Sequence, residues 1–429
     1  VLVESWLARA ARTRPRGVAL EAGGVVHAYA ELDDRATRAA RRLGALGVRP
    51  GDRVALALPA GAPFVEALHG CLRLGAVAVP IDLRLSAAER AARAGACAVL
   101  VEAPLEGAQD EDLALGTTHD LDATAIVVHT SGTTAAGRPV ELTYGNWLWS
   151  ALGSAVALGL DPVERWLCTL PLSHVGGLSI LMRSAIYATT AVLHDGFEAS
   201  AAVGELRDGD CTLVSAVPTT LARLLDAGLE RPPALRAALV GGGPIRPALL
   251  ERAAAAGVPC VTTYGLTEAC SQVTTGGPPL FCTRVRIADG GEILVAGPTV
   301  APGARAADGW LHTGDLGELD GDGGLTVTGR AKDTIVTGGE NVAPAELEAL
   351  LAWHPAVADV AVHGASDEHW GERVVATIVL RPGATATADE LASYCRVRVA
   401  RYKVPKVFRF SLDLPRTESG KLLRRDLED

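Results

Sequence analysis

Several things are missing from these 429 residues, and each absence excludes something. The eight cysteines, at 71, 97, 168, 211, 260, 270, 282 and 395, include no Cys-x-x-Cys and no short paired spacing. That argues against metal clusters and disulfide frameworks, and for small buried hydrophobes in a reducing compartment. The amino end, Val1-Leu2-Val3-Glu4-Ser5-Trp6, lacks the basic-then-apolar layout of a signal peptide. No apolar run reaches the length of a bilayer span. A cytoplasmic protein without a membrane partner is therefore expected. Aromatic residues are only 4% of the chain, which disfavours an aromatic-rich binding surface. Positive charge is in deficit: a net charge of -10 argues against a nucleic-acid partner. Neither an internal repeat nor a low-complexity linker is seen.

What is present is core material. With 48% hydrophobic and 21% charged residues the chain folds around a large interior, and its length calls for two or more domains. Short apolar runs at residues 53–58, 76–80, 125–128, 166–170, 191–193, 213–217, 237–240 and 258–261 read as buried strands. Between them lie stretches of helical spacing at 29–46, 64–74 and 146–158, and residues 2–14 also read as a helix. Residues 18–20 and 25–27 flank Gly23-Gly24 as a hairpin, and 105–122 reads as a polar surface excursion. Strand–helix alternation at this spacing predicts an α/β fold with mostly parallel sheets. Residues 281–328 change to short strands and turns, a small antiparallel unit. Beyond them, 345–351 and 389–399 read as helices and 357–362 and 374–380 as strands of a small α+β domain. The expected division is a large domain of residues 1–331 and a mobile small domain of 332–429.

One loop organises the chain: His129-Thr130-Ser131-Gly132-Thr133-Thr134-Ala135-Ala136-Gly137-Arg138-Pro139. It follows a buried strand and packs hydroxyls and glycines ahead of a fixed cation. Exposed backbone N–H groups beside hydroxyl donors and a cation suit phosphate oxygens, although an ordinary polar turn has the same composition. Neither common phosphate-loop signature is matched. Four more clusters follow in order: Gly241-Gly242-Gly243-Pro244; Tyr264-Gly265-Leu266-Thr267-Glu268; Leu311-His312-Thr313-Gly314-Asp315 with Gly329-Arg330-Ala331-Lys332-Asp333; and Pro415-Arg416-Thr417-Glu418-Ser419-Gly420-Lys421.

Together these motifs closely resemble the adenylate-forming ligase superfamily of acyl-CoA synthetases, adenylation domains and luciferases, and the resemblance spans essentially the whole chain. It implies an enzyme in which a carboxylate attacks the α-phosphate of ATP and a thiol, commonly that of coenzyme A, then takes the acyl group. The resemblance assigns Thr130, Ser131, Gly132, Thr133, Thr134 and Arg138 to the phosphates. It assigns Gly242, Gly243 and Tyr264 to the adenine, and Asp315 and Arg330 to the ribose. Thr267 would donate to the α-phosphate and Glu268 would ligate Mg²⁺, a hard cation suited to one carboxylate plus phosphate oxygens. Lys421 would bridge the α-phosphate and the incoming carboxylate. Two steps in one site imply a small domain that turns about a hinge at Lys332, bringing Gly338-Gly339-Glu340-Asn341 to the pantetheine. A departure stands out: where the family reads Thr-Gly-x-Pro-Lys, this chain has Thr134-Ala135-Ala136-Gly137-Arg138. Arginine keeps the charge but is a planar fork, not a mobile point charge.

Residues 170–184 and Glu268-Ala269-Cys270-Ser271-Gln272 are similar to the o-succinylbenzoate–CoA ligases of menaquinone biosynthesis. A dicarboxylic aromatic acid needs a cation for the carboxylate that is not activated, and Arg183 is the candidate. If 177–187 is helical, Ser179, Arg183 and Tyr187 share a face. His174, Ser179, Gly265, Ser271 and Gln272 complete the expected acyl-binding set, with His174 also near the thiol path. Other aryl- or fatty-acid–CoA ligases, a carrier-protein adenylation enzyme and a nucleotide-binding homologue with weakened catalysis are the competing readings. A homodimer is left open.

Overall fold

The computed structural model describes residues 1–109, 113–130, 138–367, 370–416 and 422–427. Two large sheets form the first part. The smaller runs in the order Val99–Val101, Arg53–Leu56, Val77–Pro80, Thr124–Thr130, Arg138–Thr143, parallel except for its last strand. The larger has eight strands in the order Ser271–Thr275, Cys260–Leu266, Ala237–Val240, Leu213–Ala216, Arg165–Cys168, Thr190–Leu193, Val18–Ala22, Val25–Ala28. Its six middle strands are parallel and the edge strand at each end is antiparallel. Interior strands such as Leu213–Ala216 and Ala237–Val240 are buried along their whole length, as parallel strands covered on both faces must be.

Helices Trp6–Thr13, Tyr29–Ala45, Ala62–Leu74, Tyr144–Leu158 and Val175–Tyr187 contribute to one continuous core with strands of both sheets. The crossing of Tyr29–Ala45 with Ala62–Leu74 is close because Gly70 has no side chain. A Cβ there would stand 2.8 Å from the Ala39 Cβ and 3.1 Å from the Ala40 nitrogen. Gly75 ends that helix in the left-handed conformation, φ 75°, and its N–H returns to the helix carbonyls. Thr143 and Asn146 form a reciprocal capping box at the head of Tyr144–Leu158. The Asn146 amide also donates to Pro298 O at 2.7 Å, which ties this helix to the antiparallel unit.

That unit is a four-stranded antiparallel sheet, Arg284–Ile287, Glu292–Ala296, Leu311–Leu319 and Leu325–Arg330. The last part carries a five-stranded sheet of Glu340–Val342, Ile335–Thr337, Gly371–Leu380, Val357–Asp367 and Val407–Ser411, with helices Pro344–Ala352 and Ala388–Arg396 and a core of its own. No described helix is long and apolar enough to cross a membrane. None of the eight cysteines is in a disulfide, and five are buried.

Two expectations need correction. Residues 2–4 are a strand, Leu2–Glu4, and the helix starts only at Trp6. The partner strand, Thr118–Asp120, lies inside the stretch expected to be a plain surface excursion. It buries His119, whose ring stacks on Tyr144 at 4.3 Å and meets Trp6 edge-on at 5.0 Å.

Candidate active site

Of the expected nucleotide residues, the glycines follow a parallel strand, at the carboxyl edge where open α/β sheets bind ligands, whereas Tyr264 lies within the adjacent strand and Asp315 within the four-stranded sheet. Ala237–Val240 runs into Gly241-Gly242-Gly243. Gly241 is required by packing, since a Cβ would meet the Thr263 carbonyl oxygen at 2.6 Å. Gly242 has φ +77° and, like Gly243, is exposed. Nothing stands closer than 3.9 Å to where a Gly243 Cβ would be. The backbone here is open to a flat ligand.

Next to it Cys260–Leu266 brings up Tyr264, whose hydroxyl donates to Asp315 Oδ2 at 2.8 Å. Asp315 is 4% exposed and pairs across its hairpin with Arg330, whose Nε lies 2.7 Å from Oδ1. The Asp315 N–H donates to Thr313 Oγ1, and Gly314, at φ +69°, donates its N–H to Glu292 Oε1 at 2.9 Å. Burial first, and then the Asp315 charge, push the Tyr264 phenol well above its ordinary pKa, so it stays a donor. Among the described residues each Asp315 oxygen is held once and retains a lone pair. A carboxylate fixed this way can accept from two vicinal hydroxyls.

Thr267 and Glu268 lie on a short turn, Thr267–Ala269, followed by Cys270 and Ser271 at φ 51° and 90°. Gly265 makes this reversal fit: a Cβ would fall 1.7 Å from Ser271 O. Glu268 is half-buried, and no cation among the described residues pairs with it. No cluster of three metal-ligating side chains exists among the described residues. A lone carboxylate is nevertheless the donor set that Mg²⁺ takes when phosphates and water complete its octahedron, so Glu268 fits that ion. The turn packs beside strand Arg138–Thr143.

That strand and Thr124–Thr130 form a hairpin in which Thr130 faces Arg138 and donates to its carbonyl at 3.3 Å. Thr130 is half-buried and Arg138 exposed. Ser131, Gly132, Thr133 and Thr134 lie outside the described residues, as does Lys421. His129, just before the loop, is pushed down to about 4 by burial and then by the charges of Arg93 and Arg53. In this state it is neutral and leaves the loop's positive charge to Arg138.

The acyl-side residues divide. The helix Val175–Tyr187 forms as expected, and Ser179, Arg183 and Tyr187 share a face that is buried or nearly so. Arg183 is 2% exposed, so it does not reach out to solvent. Its guanidinium lies 5.4 Å from the Trp166 ring centroid, and Nη2 donates to Ser150 Oγ at 3.3 Å. Nε has no partner, and no carboxylate among the described residues pairs with the group. Burial pulls its pKa down, opposed by Tyr187 and Cys270. Ser150 Oγ in turn donates to the Cys270 carbonyl at 2.6 Å, which links Arg183 to the turn that carries Glu268. The Ser179 hydroxyl is engaged with Val175 O at 2.5 Å, one turn back in its own helix. Gln272 is buried; its amide donates to Thr275 Oγ1 at 2.8 Å and its Oε1 has no donor. His174 caps the helix, with Nε2 4.0 Å from Asp82 Oδ2. Burial works against the charged form of Asp82, but hydrogen bonds from the Arg84 side chain and amide, and the nearby charges, hold its carboxyl below the usual range.

Asp82, Ser150, Trp166 and Glu292 escaped the sequence reading. Each is an ordinary residue on a strand, helix or loop whose partner in the site, His174, Arg183 or Gly314, is distant in sequence, and no spacing marks it.

The match with known proteins agrees with this geometry. The chain belongs to the AMP-binding enzyme family: the AMP-binding enzyme model covers residues 7–115 and 98–303, and the AMP-binding enzyme C-terminal domain covers 346–421. Within that family it is 38% identical to a 2-succinylbenzoate–CoA ligase of Bacillus subtilis, over 99% of this chain and 97% of that protein. The o-succinylbenzoate CoA synthetase of the same organism in complex with its acyl-adenylate intermediate superposes with a TM-score of 0.93, at 37% identity over 100% of this chain and 99% of that one. Its complex with ATP and magnesium ion gives 0.92, at 37% identity over 100% of both chains.

Proposed function

We propose that this chain is an AMP-forming acid–thiol ligase acting on o-succinylbenzoate. A carboxylate oxygen of the acid bonds to the α-phosphorus of ATP as the bond to pyrophosphate breaks. The sulfur of coenzyme A then bonds to the acyl carbon with loss of the thiol proton, and AMP leaves with the oxygen that bridged the acyl carbon and phosphorus. The observation that carries this reading is the end-to-end agreement with the acyl-adenylate-bound relative.

The obstacle in the first step is repulsion between an anion and a polyanion, so oriented donors and cations do most of the work. The exposed Gly242–Gly243 backbone takes the adenine against Tyr264, and Asp315 accepts from the ribose hydroxyls with Arg330 beside it. Thr267 donates to the α-phosphate; Thr130, Ser131, Gly132, Thr133, Thr134 and Arg138 hold the other phosphates. Magnesium, held by Glu268, supplies charge neutralisation when bound. Lys421 steers the acid carboxylate onto the α-phosphate. Arginine at 138 suits a chain whose four lysines all lie at or beyond position 332, and it keeps the charge the loop needs. That weakens the case for a homologue with lost catalysis.

Arg183 is the cation for the substrate's second carboxylate. A guanidinium buried without an anion costs several kcal/mol, and a carboxylate arriving from the acyl pocket relieves it. His174, Ser179, Gly265, Ser271 and Gln272 belong to the walls of that pocket. Residues 1–331 and 332–429 act as two domains hinged at Lys332, which is exposed on the short turn Ala331–Asp333. Lys332→Pro should then cripple one half-reaction and spare the other.

The test is AMP formation with o-succinylbenzoate and coenzyme A, compared with benzoate and a medium-chain fatty acid. Turnover confined to the first acid is expected. Turnover of only the other acids would overturn the substrate assignment; ATP binding without acid-dependent AMP would overturn the enzyme assignment.

A further inference from the structure

One carboxylate joins the segment after the glycine loop to the C-terminal part. Arg246 lies three residues beyond the glycine loop 241–243, at the head of helix Pro247–Ala255. Its Nη2 donates to Asp359 Oδ1, and its Nη1 donates to the neighbouring Ala358 carbonyl at 2.9 Å. Asp359 belongs to strand Val357–Asp367 of the C-terminal sheet. Its other oxygen, Oδ2, accepts from Arg416 Nη2 at 2.8 Å. Arg416 in turn pairs with Leu422 through an isolated antiparallel bridge, and the Leu423 N–H donates to Pro415 O at 2.9 Å. Leu422 is the covalent neighbour of Lys421. The segment expected to hold adenine is thus connected, through three half-buried charged side chains, to the base of the segment that ends in Lys421.

We propose that Arg246 is a positioning residue for acyl-adenylate formation: through Asp359 and Arg416 it docks the C-terminal part against the nucleotide loop. Two guanidiniums on one partly dehydrated carboxylate form charge-assisted, directional bonds. The Arg246 bond holds only while Val357–Asp367 lies against the head of helix Pro247–Ala255. A rotation of the small domain for thioester formation breaks the Arg246 bond and leaves the Arg416 bond, which is internal to that domain. Arg246 therefore matters for the first half-reaction and not the second. The inference rests on the reading that Lys421 serves the first step.

The experiment separates the half-reactions in the full-length protein. Acid-dependent ATP–pyrophosphate exchange reports the first, and thioester formation from supplied acyl-adenylate and coenzyme A reports the second. Arg246→Ala should slow exchange about 10- to 100-fold, the scale on which small misplacements act, and leave thioester formation within about twofold. Arg246→Lys should recover part of the exchange. Equal loss of both half-reactions, or loss of neither, overturns the proposal. Lys421→Ala is measured alongside: if it retains exchange, the Lys421 reading fails, whereas loss of exchange in Lys421→Ala with none in Arg246→Ala sinks the docking role alone. Asp359→Asn, which keeps the shape and weakens both bonds, should follow Arg246→Ala.

Discussion

Tyr264 and Asp315 meet at 2.8 Å, and their hydrogen bond joins the eight-stranded sheet to the four-stranded one at the expected ribose site. Besides the ring face proposed for adenine, the tyrosine holds one carboxylate oxygen while Arg330 holds the other. Tyr264→Phe keeps the ring and removes the donor. A hydrogen bond to a charged group is worth about 1.5–3 kcal/mol, so KM for ATP should rise about tenfold or more while KM for the acid holds. Asp315→Ala should do worse, since it releases both partners. Steady-state kinetics with each substrate varied in turn checks this, and an unchanged KM for ATP in Tyr264→Phe would remove the tyrosine from the ribose site.

The α/β alternation and the antiparallel unit were legible because each depends on local signals, apolar runs of strand length and glycines at tight turns, and motifs of adjacent residues were enough to nominate the nucleotide candidates. What was illegible depends on distant partners. Leu2–Glu4 is three residues long and is a strand only because Thr118–Asp120 lies alongside it. Arg183 could not be separated from a solvent-reaching arginine until Trp166 and Ser150 were seen to enclose it. Arg246 and Asp359 are 113 residues apart, and no spacing rule connects them.

Arg138, exposed at the start of strand Arg138–Thr143, is the cation expected to meet the phosphates. Arg138→Ala should raise KM for ATP about tenfold, the effect of one charge-assisted contact. Arg138→Lys should stay close to the parent, because the loop needs a charge more than a fork. Binding of ATP measured by calorimetry decides it. Parent-like affinity in Arg138→Ala would place the phosphates elsewhere.

Stability should depend on pH through two buried histidines. His69 is pushed down to about 4 by burial, and His119 to about 4 by burial and then by the charges of His69 and Arg73. Their folded pKa values lie below the unfolded value of 6.5, so between the two the unfolded chain binds more protons than the folded one. Stability is therefore complete above about pH 6.5 and falls as pH drops towards 4, by on the order of 2–3 kcal/mol per histidine. Urea melts from pH 7.5 to 4.5 should show this slope, and His69→Gln should flatten it. A slope unaffected by that substitution would assign the acid sensitivity to other groups.

The two glycines at 243 and 265 should separate a ligand-facing role from a packing role. An alanine Cβ at Gly265 would fall 1.7 Å from Ser271 O, a backbone atom held in a left-handed turn, and no side-chain rotation relieves it. Gly265→Ala should cost about 3 kcal/mol or more, and the melting temperature should fall whether or not ATP is present. At Gly243 the nearest atom to a new Cβ is 3.9 Å away, so the fold accepts the methyl group. The exposed backbone of Gly243 is where the adenine would lie flat, and a methyl group there would hold the base off. Gly243→Ala should therefore melt like the parent without ligand and lose most of the stabilisation that ATP gives the parent. If ATP raised its melting temperature as much as the parent's, the adenine would have to bind away from this loop.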